Sequence, residues 1–207
     1  MKIEVIQLSS FWGTSLRQRH ISVREGNDRL AVLFPGRNYP CELPLLYYAG
    51  NAALQHGFDL LILEYGYQAA RTQLHLSDLP KVIDESFESV LSVYEKHDQI
   101  IFISKSLGTL VAGEVHQKLQ AQVDHLFLTP LADTIPFIQA TNGIVIYGEN
   151  DPLFGPKEVE QIKDRSRTIV IPNADHGLET GNVKENLINL GIIVDVYWDL
   201  FGDRRSN

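Results

Sequence analysis

Residues 100–112 read IIFISKSLGTLVA, and this stretch decides the fold. Its first four residues form a continuous apolar run, which predicts a strand covered on both faces. Leu107 begins a segment of helical period that extends to Leu119. Between the two lies a Ser-x-Ser-x-Gly sequence centred on Ser106. A serine on so tight a turn points outward at the positive end of the following helix, so Ser106 is a candidate nucleophile.

Five further apolar runs of similar length occur on either side of this stretch. They cover residues 30–34, 60–63, 125–128, 144–147 and 168–171. Strands that are apolar throughout are typical of a parallel sheet with helices on both faces. Residues 3–8 and 20–23 alternate more, which predicts antiparallel strands with one wetter face. The sequence therefore predicts a mostly parallel sheet of about eight strands.

Segments of helical period separate the apolar runs. Helices are predicted over residues 43–54, 82–94, 107–119, 159–163 and 183–190. Asp78 and Pro80 supply cap and first-turn signals for the second of these. Strand and helix thus alternate, which predicts right-handed crossovers and a three-layer α/β/α sandwich. We interpret residues 1–207 as one domain, because no repeat or linker divides them.

Composition narrows the class of protein. The 207 residues are 44% hydrophobic and 21% charged, as in a soluble globular chain. A net charge of −8 argues against a nucleic acid or an anionic membrane as partner. A lone cysteine, Cys41, cannot form an internal disulfide. Neither a secretory signal nor a membrane-length apolar run is present, so we expect a cytoplasmic protein.

Two more strand ends carry side chains that complement a serine nucleophile. Asp151 follows the run at 144–147, and His176 follows the run at 168–171. A serine hydroxyl needs a neutral imidazole to take its proton, and the imidazole needs a carboxylate to orient it. Loops after parallel strands share one edge of a sheet, so we predict a triad of Ser106, Asp151 and His176. Asp175 is the alternative acid, and a plain turn role is the alternative for Asp151.

The loop after the run at 30–34 predicts the oxyanion hole. Acyl transfer needs two N–H donors for the developing oxyanion. Leu107, which follows the nucleophile, supplies the first, and Arg37 is the predicted second. Gly36 is the alternative donor, and it also lets the backbone approach the substrate. The side chain of Arg37 has two alternatives, a substrate carboxylate and solvent.

The order of these parts resembles the alpha/beta-hydrolase superfamily over essentially the whole chain. The resemblance implies that Ser106 is the nucleophile, Asp151 the acid and His176 the general base, with Arg37 and Leu107 as oxyanion donors. Two departures from the family pattern stand out. Ser104 occupies a turn position that is usually glycine, and residues 34–36 read Phe-Pro-Gly where many members have histidine before the glycine.

The segment after the run at 125–128 is short. Many members of the superfamily insert a lid there, whereas only residues 132–142 are available in this chain. The sequence therefore resembles the compact, lidless, esterase-like members, whose site is comparatively open. Ile135, Phe137 and Ile138 are predicted to form an apolar wall of the site, with Phe137 as a substrate-binding residue.

The remaining reactive side chains predict neither a metal nor a cofactor. The other histidines show no paired ligand spacing such as His-Glu-x-x-His. They are His20, His56, His75, His97, His116 and His125. Cys41 lies on no such turn, and no glycine-rich nucleotide motif is present. The expected partner is a small-molecule substrate, and the sequence leaves the oligomeric state open.

The leading hypothesis is a serine hydrolase that cleaves a small carboxylic ester or thioester through an acyl-Ser106 intermediate. One alternative is a non-catalytic binding or regulatory protein of the same fold, which the departures at Ser104 and residues 34–36 favour. The other is a lyase or acyltransferase that uses the same triad, because fold analogy does not choose among these chemistries.

Overall fold

The computed structural model of the protein describes residues 1–119, 121–141, 143–162 and 166–202. Within these ranges, eight strands form one sheet. They are β1 (Lys2–Ser9), β2 (Ser15–Ser22), β3 (Arg29–Phe34), β4 (Asp59–Ile62), β5 (Gln99–Lys105), β6 (Asp124–Leu128), β7 (Ile144–Gly148) and β8 (Arg167–Ile171). The α-helices of the described residues are α1 (Pro44–Gln55), α2 (Gly66–Ala69), α3 (Leu79–Tyr94), α4 (Leu107–Leu119), α5 (Ile135–Ala140), α6 (Pro156–Ile162) and α7 (Val183–Gly202).

The strands lie in the order β1-β2-β4-β3-β5-β6-β7-β8. β1 and β2 form an antiparallel hairpin, and β2 pairs antiparallel with β4. All later neighbours pair parallel. This arrangement confirms the predicted mostly parallel sheet of eight strands. Because β3, β5, β6, β7 and β8 run in one direction, the loops that follow them open at one edge of the sheet.

Helices cover the sheet on both faces. On one face, Ala31 and Leu33 of β3 pack in a cluster with residues of α1 and α7. On the other face, Leu30, Val32 and Phe34 of the same strand pack with residues of α3 and α4. This alternation follows from the two-residue period of a strand, whose side chains point to opposite faces in turn. The three layers agree with the prediction.

β8 corrects one expectation from the sequence. Its apolar run predicted a strand covered on both faces, but β8 is an edge strand. Val170 is 46% exposed, and Ile171 alone of its residues is fully buried. Nothing in the local apolar pattern distinguishes an edge from a central position, because position in the sheet depends on strand order.

Several other element boundaries differ from the predictions, among them those of β2, α6 and α7. β2 begins at Ser15, five residues before the predicted start at residue 20, because β1 pairs with it along its whole length. α7 continues past Leu190 to Gly202, since Ile193, Tyr197 and Phe201 keep its helical apolar stripe on the core. The predicted helix at 159–163 is part of α6, and Lys163 lies outside the described residues. No helix in the described part of the chain is long and apolar enough to cross a bilayer.

Candidate active site

Ser106 occupies a strained turn between β5 and α4. Its φ angle is 52°, in the left-handed region that side chains other than glycine rarely adopt. Two hydrogen bonds to β6 hold the turn: the Ser106 N–H donates to Leu128 O at 2.9 Å, and the buried Ser104 hydroxyl donates to Leu126 O at 3.3 Å. Strain that the surrounding structure maintains in this way is typical of a functional residue. The turn carries the Ser106 hydroxyl out of the sheet edge.

Gly108 allows the start of α4 to lie against the end of β3. A Cβ atom at this position would lie 2.5 Å from Phe34 O and 2.6 Å from Pro35 O, closer than any real contact. The glycine of the Ser-x-Ser-x-Gly sequence is thus required by packing. This close packing brings the first N–H groups of α4 beside the loop at residues 35–39.

The three predicted triad side chains meet in a hydrogen-bonded chain. His176 Nε2 lies 2.8 Å from Ser106 Oγ. His176 Nδ1 lies 2.8 Å from Asp151 Oδ2 and 3.0 Å from Asp151 Oδ1. Because a carboxylate only accepts, the Nδ1 proton must face Asp151, which leaves the Nε2 lone pair towards the serine hydroxyl. The imidazole is therefore oriented to accept a proton from Ser106.

The structure places Asp151, rather than Asp175, on the imidazole. The Asp151 side chain has no solvent exposure and also accepts the Leu153 N–H at 2.8 Å. Asp175 instead accepts the N–H groups of Gly177 and Glu179 at 2.7 and 3.2 Å, so it stabilises the turn of its own loop. Of the two acids that the sequence offered, only Asp151 contacts the ring.

The loops that carry Asp151 and His176 are bound to each other. The Asn150 N–H donates to Ala174 O at 2.8 Å, and the Asn150 side-chain amide donates to Asn173 O at 3.1 Å. A Cβ atom at Gly148 would lie 2.3 Å from Ala174 O, so the two loops pack backbone to backbone. This contact fixes the distance between the carboxylate and the imidazole.

Solved structures with a similar fold come from several organisms. The esterase of Pyrococcus furiosus is 14% identical, covers 98% of this chain and 92% of its own, and has a TM-score of 0.72. Est1E of Butyrivibrio proteoclasticus, solved with ferulic acid bound, is 11% identical over 98% and 100%, with a TM-score of 0.73. An alpha-beta serine hydrolase homologue of Coxiella burnetii is 12% identical over 95% and 98%, with a TM-score of 0.66. No protein-family model and no curated protein matches the sequence.

The chain has the alpha/beta-hydrolase fold. Coverage of more than nine-tenths of both chains in each pair means that the likeness concerns the whole architecture. At these identities it concerns the fold alone. The chemistry of the site has to be argued from its own residues.

The loop after β3 lies against the end of β5, since a Cβ atom at Gly36 would lie 3.3 Å from Lys105 O. Leu107 is the first residue of α4, and no described residue accepts its N–H. The N–H of Arg37 likewise has no acceptor within the described ranges. The Gly36 N–H donates to Tyr39 O at 2.9 Å, so this alternative donor is already engaged. Of the two candidates for the second oxyanion donor, Arg37 is the one whose N–H is available.

Side chains of α2 hold this loop in place. The Tyr67 hydroxyl donates to Arg37 O at 2.8 Å, and the Gln68 amide donates to Gly36 O at 2.9 Å. The Arg37 guanidinium turns away and donates to Leu74 O at 2.9 Å. Sequence reasoning missed α2 because it spans only residues 66–69, too few to show a helical period.

Lys105 is a residue of this site that the sequence analysis missed. It is 3% exposed, and its ammonium donates to His176 O at 2.7 Å and to Thr129 Oγ1 at 2.6 Å. Burial lowers the pKa of Lys105 to about 8, although the nearby carboxylates of Asp151 and Asp175 oppose this shift. Lys105 thus connects the turn that carries Ser106 to the loop that carries His176. Its only signal in the sequence is a charge at the end of an otherwise apolar strand.

Ile135 and Ile138 of the predicted apolar wall are buried in a core cluster with Phe127, so they offer little surface to a substrate. The Phe137 ring packs against Gly113, where an added Cβ would lie 2.4 Å from Phe137 Cγ. Gly113 lies about two helical turns along α4 from Ser106. The structure therefore places Phe137 between α5 and α4 and does not bring it to Ser106.

An apolar cavity of about 330 Å³ lies beside the loop that carries His176. Gly177 and Leu178 of that loop line one side, together with Tyr39 from the loop after β3. The apolar lining from α1 and α7 includes Leu45, Leu187, Leu190 and Ile193. Sequence reasoning could not find this cavity, because its walls come from residues 39–45 and 177–193, which are far apart in the chain.

Proposed function

We propose that the protein is a serine hydrolase that cleaves small carboxylic esters or thioesters through an acyl-Ser106 intermediate. One observation carries the proposal. Ser106 Oγ, the His176 imidazole and the Asp151 carboxylate form a continuous chain with both links at 2.8 Å. This is the arrangement that a serine needs to become a nucleophile near neutral pH.

In the first half of the reaction, Ser106 Oγ attacks the substrate carbonyl as His176 Nε2 takes the hydroxyl proton. The carbonyl π electrons move to oxygen, and the N–H groups of Leu107 and Arg37 stabilise that oxyanion. Asp151 accepts the Nδ1 proton of the resulting imidazolium in a hydrogen bond and stabilises its charge. When the oxyanion collapses, the bond to the leaving alkoxide or thiolate breaks, and the leaving group takes the proton from Nε2.

In the second half, water replaces the leaving group. His176 takes a proton from water, whose oxygen attacks the acyl carbonyl and forms a second oxyanion. Collapse of this intermediate breaks the bond to Ser106 Oγ, which takes the proton back. A carboxylic acid leaves, and the chain returns to its starting state.

The shape of the site supports a small or extended substrate. The cavity beside Leu178 suits a small apolar group of the substrate, and no long insertion between β6 and β7 covers Ser106. Residues 129–143 connect these two strands, with Asn142 outside the described residues. One of the similar folds is named an esterase and another a serine hydrolase homologue, which favours the same reaction class in this chain.

A fluorophosphonate probe tests the proposal directly, because it reacts with an activated serine. We expect wild-type protein to be labelled, Ser106→Ala to be silent, and Ser77→Ala, at an exposed serine, to be labelled as the matched control. With a panel of short and medium acyl esters and thioesters, Ser106→Ala and His176→Ala should each lower kcat by about 10⁴-fold or more.

The result that contradicts the proposal is wild-type protein that is folded but neither labelled nor active on any ester or thioester. That outcome favours a non-catalytic binding protein. Labelling of Ser106 with products other than the free acid would instead indicate an acyltransferase or a lyase.

A further inference from the structure

A second cluster of reactive side chains lies at the opposite edge of the sheet from Ser106, that is, at the other end of the strands. Asp59 is the first residue of β4, and His97 comes just before β5, so both lie where parallel strands begin. His20 is near the end of the antiparallel β2 and is paired with Leu61. All three residues are buried, with at most 9% exposure. They play no part in the proposed hydrolysis.

The contact between His97 and Asp59 lacks a positive charge when His97 is neutral. His97 Nδ1 lies 3.0 Å from Val93 O, and since a carbonyl only accepts, the ring proton must be on Nδ1. The Nε2 lone pair of a neutral His97 then faces Asp59 Oδ2 at 3.3 Å, so two acceptors point at each other. Such a contact needs either a second proton on the ring or a positive ion between the two atoms.

His20 adds a ring nitrogen that has no hydrogen-bond partner among the described residues. His20 Nε2 is buried, and none of the described residues forms a hydrogen bond with it. A buried nitrogen without a partner costs about 1–3 kcal/mol, so a native fold that retains one needs a reason. The ring packs edge-on against His97, with 6.4 Å between centroids.

We propose that His20, Asp59 and His97 bind a divalent transition-metal ion such as Zn²⁺. One ligand atom from each residue lies within 4.8 Å of the other two. Ligands of a tetrahedral zinc ion are about 3.3–3.5 Å apart, so the His97–Asp59 pair at 3.3 Å already has the spacing, and the His20 ligand atom has at most about 1.5 Å to close. Two imidazoles and a carboxylate are a common ligand set for zinc.

Neighbouring groups orient these ligands as the partners of metal ligands do. A metal-bound histidine usually donates its other N–H to a carbonyl or carboxylate, as His97 does to Val93 O. Asp59 Oδ1 accepts the Val23 N–H at 2.9 Å and the Asn27 amide at 2.8 Å, which leaves Oδ2 free for an ion. The orientation of both ligands is therefore fixed without the metal.

A fourth ligand position would face a cavity of about 870 Å³. Besides the three ligands, its lining includes Glu4, Asn27 and Lys96. A small anion or water from this cavity could complete the coordination. The sequence analysis predicted no metal, because the three ligands share no local spacing and are united only by the fold.

Zinc binding to untagged, metal-free protein tests the site. We expect one Zn²⁺ per chain by isothermal titration calorimetry, with a dissociation constant in the micromolar range or tighter. His20→Phe keeps a ring against His97 and removes the unpartnered nitrogen, so the fold should persist while the affinity falls by roughly 100-fold. His75→Ala, at an exposed histidine, is the matched control and should bind as wild type does.

Thermal unfolding supplies an independent readout. At one fixed Zn²⁺ concentration, the Tm of wild-type protein and of His75→Ala should rise by the same amount and that of His20→Phe by clearly less, since an ion stabilises the folded state in proportion to how tightly it binds. Absence of binding to folded wild-type protein at about 100 μM Zn²⁺ would overturn the proposal. Wild-type affinity in His20→Phe would overturn it as well, and the cluster would then be an ion pair between His97 and Asp59.

Discussion

The two histidine–aspartate pairs at opposite edges of the sheet differ in which ring nitrogen faces the carboxylate. At one edge, His176 Nδ1 faces Asp151 and Nε2 faces a hydroxyl. At the other edge, His97 Nδ1 faces the carbonyl of Val93 and Nε2 faces Asp59. The same two side-chain types are thus joined in opposite senses.

This difference separates proton transfer from ion binding. A ring held by a carboxylate at Nδ1 keeps a free Nε2 lone pair for a substrate proton, which is the geometry of a general base. A ring held by a carbonyl at Nδ1 presents its lone pair to the carboxylate, and a cation can bridge the two. Proximity of histidine and aspartate therefore does not define a function until the partner of the other nitrogen is known.

Backbone strain is also unequal between the two edges. Positive φ angles occur at Ser106, Thr129, Asn173 and Leu178, all of which follow strands at the edge that carries the candidate active site. Near His20, Asp59 and His97, positive φ angles occur at Gly26 and Gly57, where glycine adopts them without steric strain. The strained residues thus lie at the edge that carries the proposed nucleophile.

Replacement of Asp151 tests the first pair. In Asp151→Asn the amide can donate to Nδ1, which would move the ring proton to Nε2 and remove the lone pair that Ser106 needs. We expect kcat to fall by about 10⁴-fold with the fold intact. Ester hydrolysis measured beside Asp175→Asn provides the matched control, since Asp175 touches only backbone N–H groups. Equal losses in the two variants would show that the pairing with His176 is not what matters.

Replacement of Asp59 tests the second pair through stability. Asp59→Ala removes the acceptor of the Val23 N–H, one of the three acceptors of the buried Asn27 amide, and the partner of His97. The free energy of unfolding should fall by about 3 kcal/mol. Asp28→Ala, at an exposed ion pair with Arg24, should change it by less than about 1 kcal/mol. Urea unfolding measures both, and a negligible loss at Asp59 would mean that its hydrogen bonds are not needed.

Lys105 yields a pH-dependent prediction at the edge that carries Ser106. Burial lowers its pKa to about 8 in the folded chain, below the value of about 10.4 for an unfolded lysine. Between these values the unfolded state holds more protons, so this group makes the protein more stable as pH rises from 8 to 10. The stability of wild type relative to Lys105→Met should therefore increase by about 1–2 kcal/mol over that range.

The control for this measurement is Lys118→Met, because Lys118 is exposed and pairs with Asp84 at the surface. Urea unfolding at several pH values should give a flat difference between wild type and this variant. A flat difference for Lys105→Met as well would mean that the ammonium is not buried as described.

Much of the fold could be predicted from local sequence patterns. A continuous apolar run and a three-to-four-residue apolar step are local signals of strand and helix, and they located the eight strands and the long helices. They could not show that β8 is an edge strand, that β2 begins at Ser15, or that residues 66–69 form a helix. These features depend on strand order, cross-strand pairing and contacts with distant segments.

The candidate site divides in the same way. Ser106, Asp151 and His176 could be named because each follows a strand, and strand ends are visible in the sequence. The role of Lys105 could not be predicted from the sequence, since its partner, His176 O, is 71 residues away. The choice of Asp151 over Asp175, and of the Arg37 N–H over that of Gly36, depends equally on hydrogen bonds between loops.

By itself the sequence determined the alternation of strands and helices and the type of residue at each strand end, because both are properties of neighbouring residues. The tertiary structure decided which nitrogen of each histidine faces the carboxylate, and the partner at Nδ1 fixes the tautomer. For His176 that partner is Asp151, 25 residues away, and for His97 it is Val93 within the preceding turn, while Asp59 is 38 residues away. The distinction between a proton acceptor and a metal ligand thus arises only when the chain has folded.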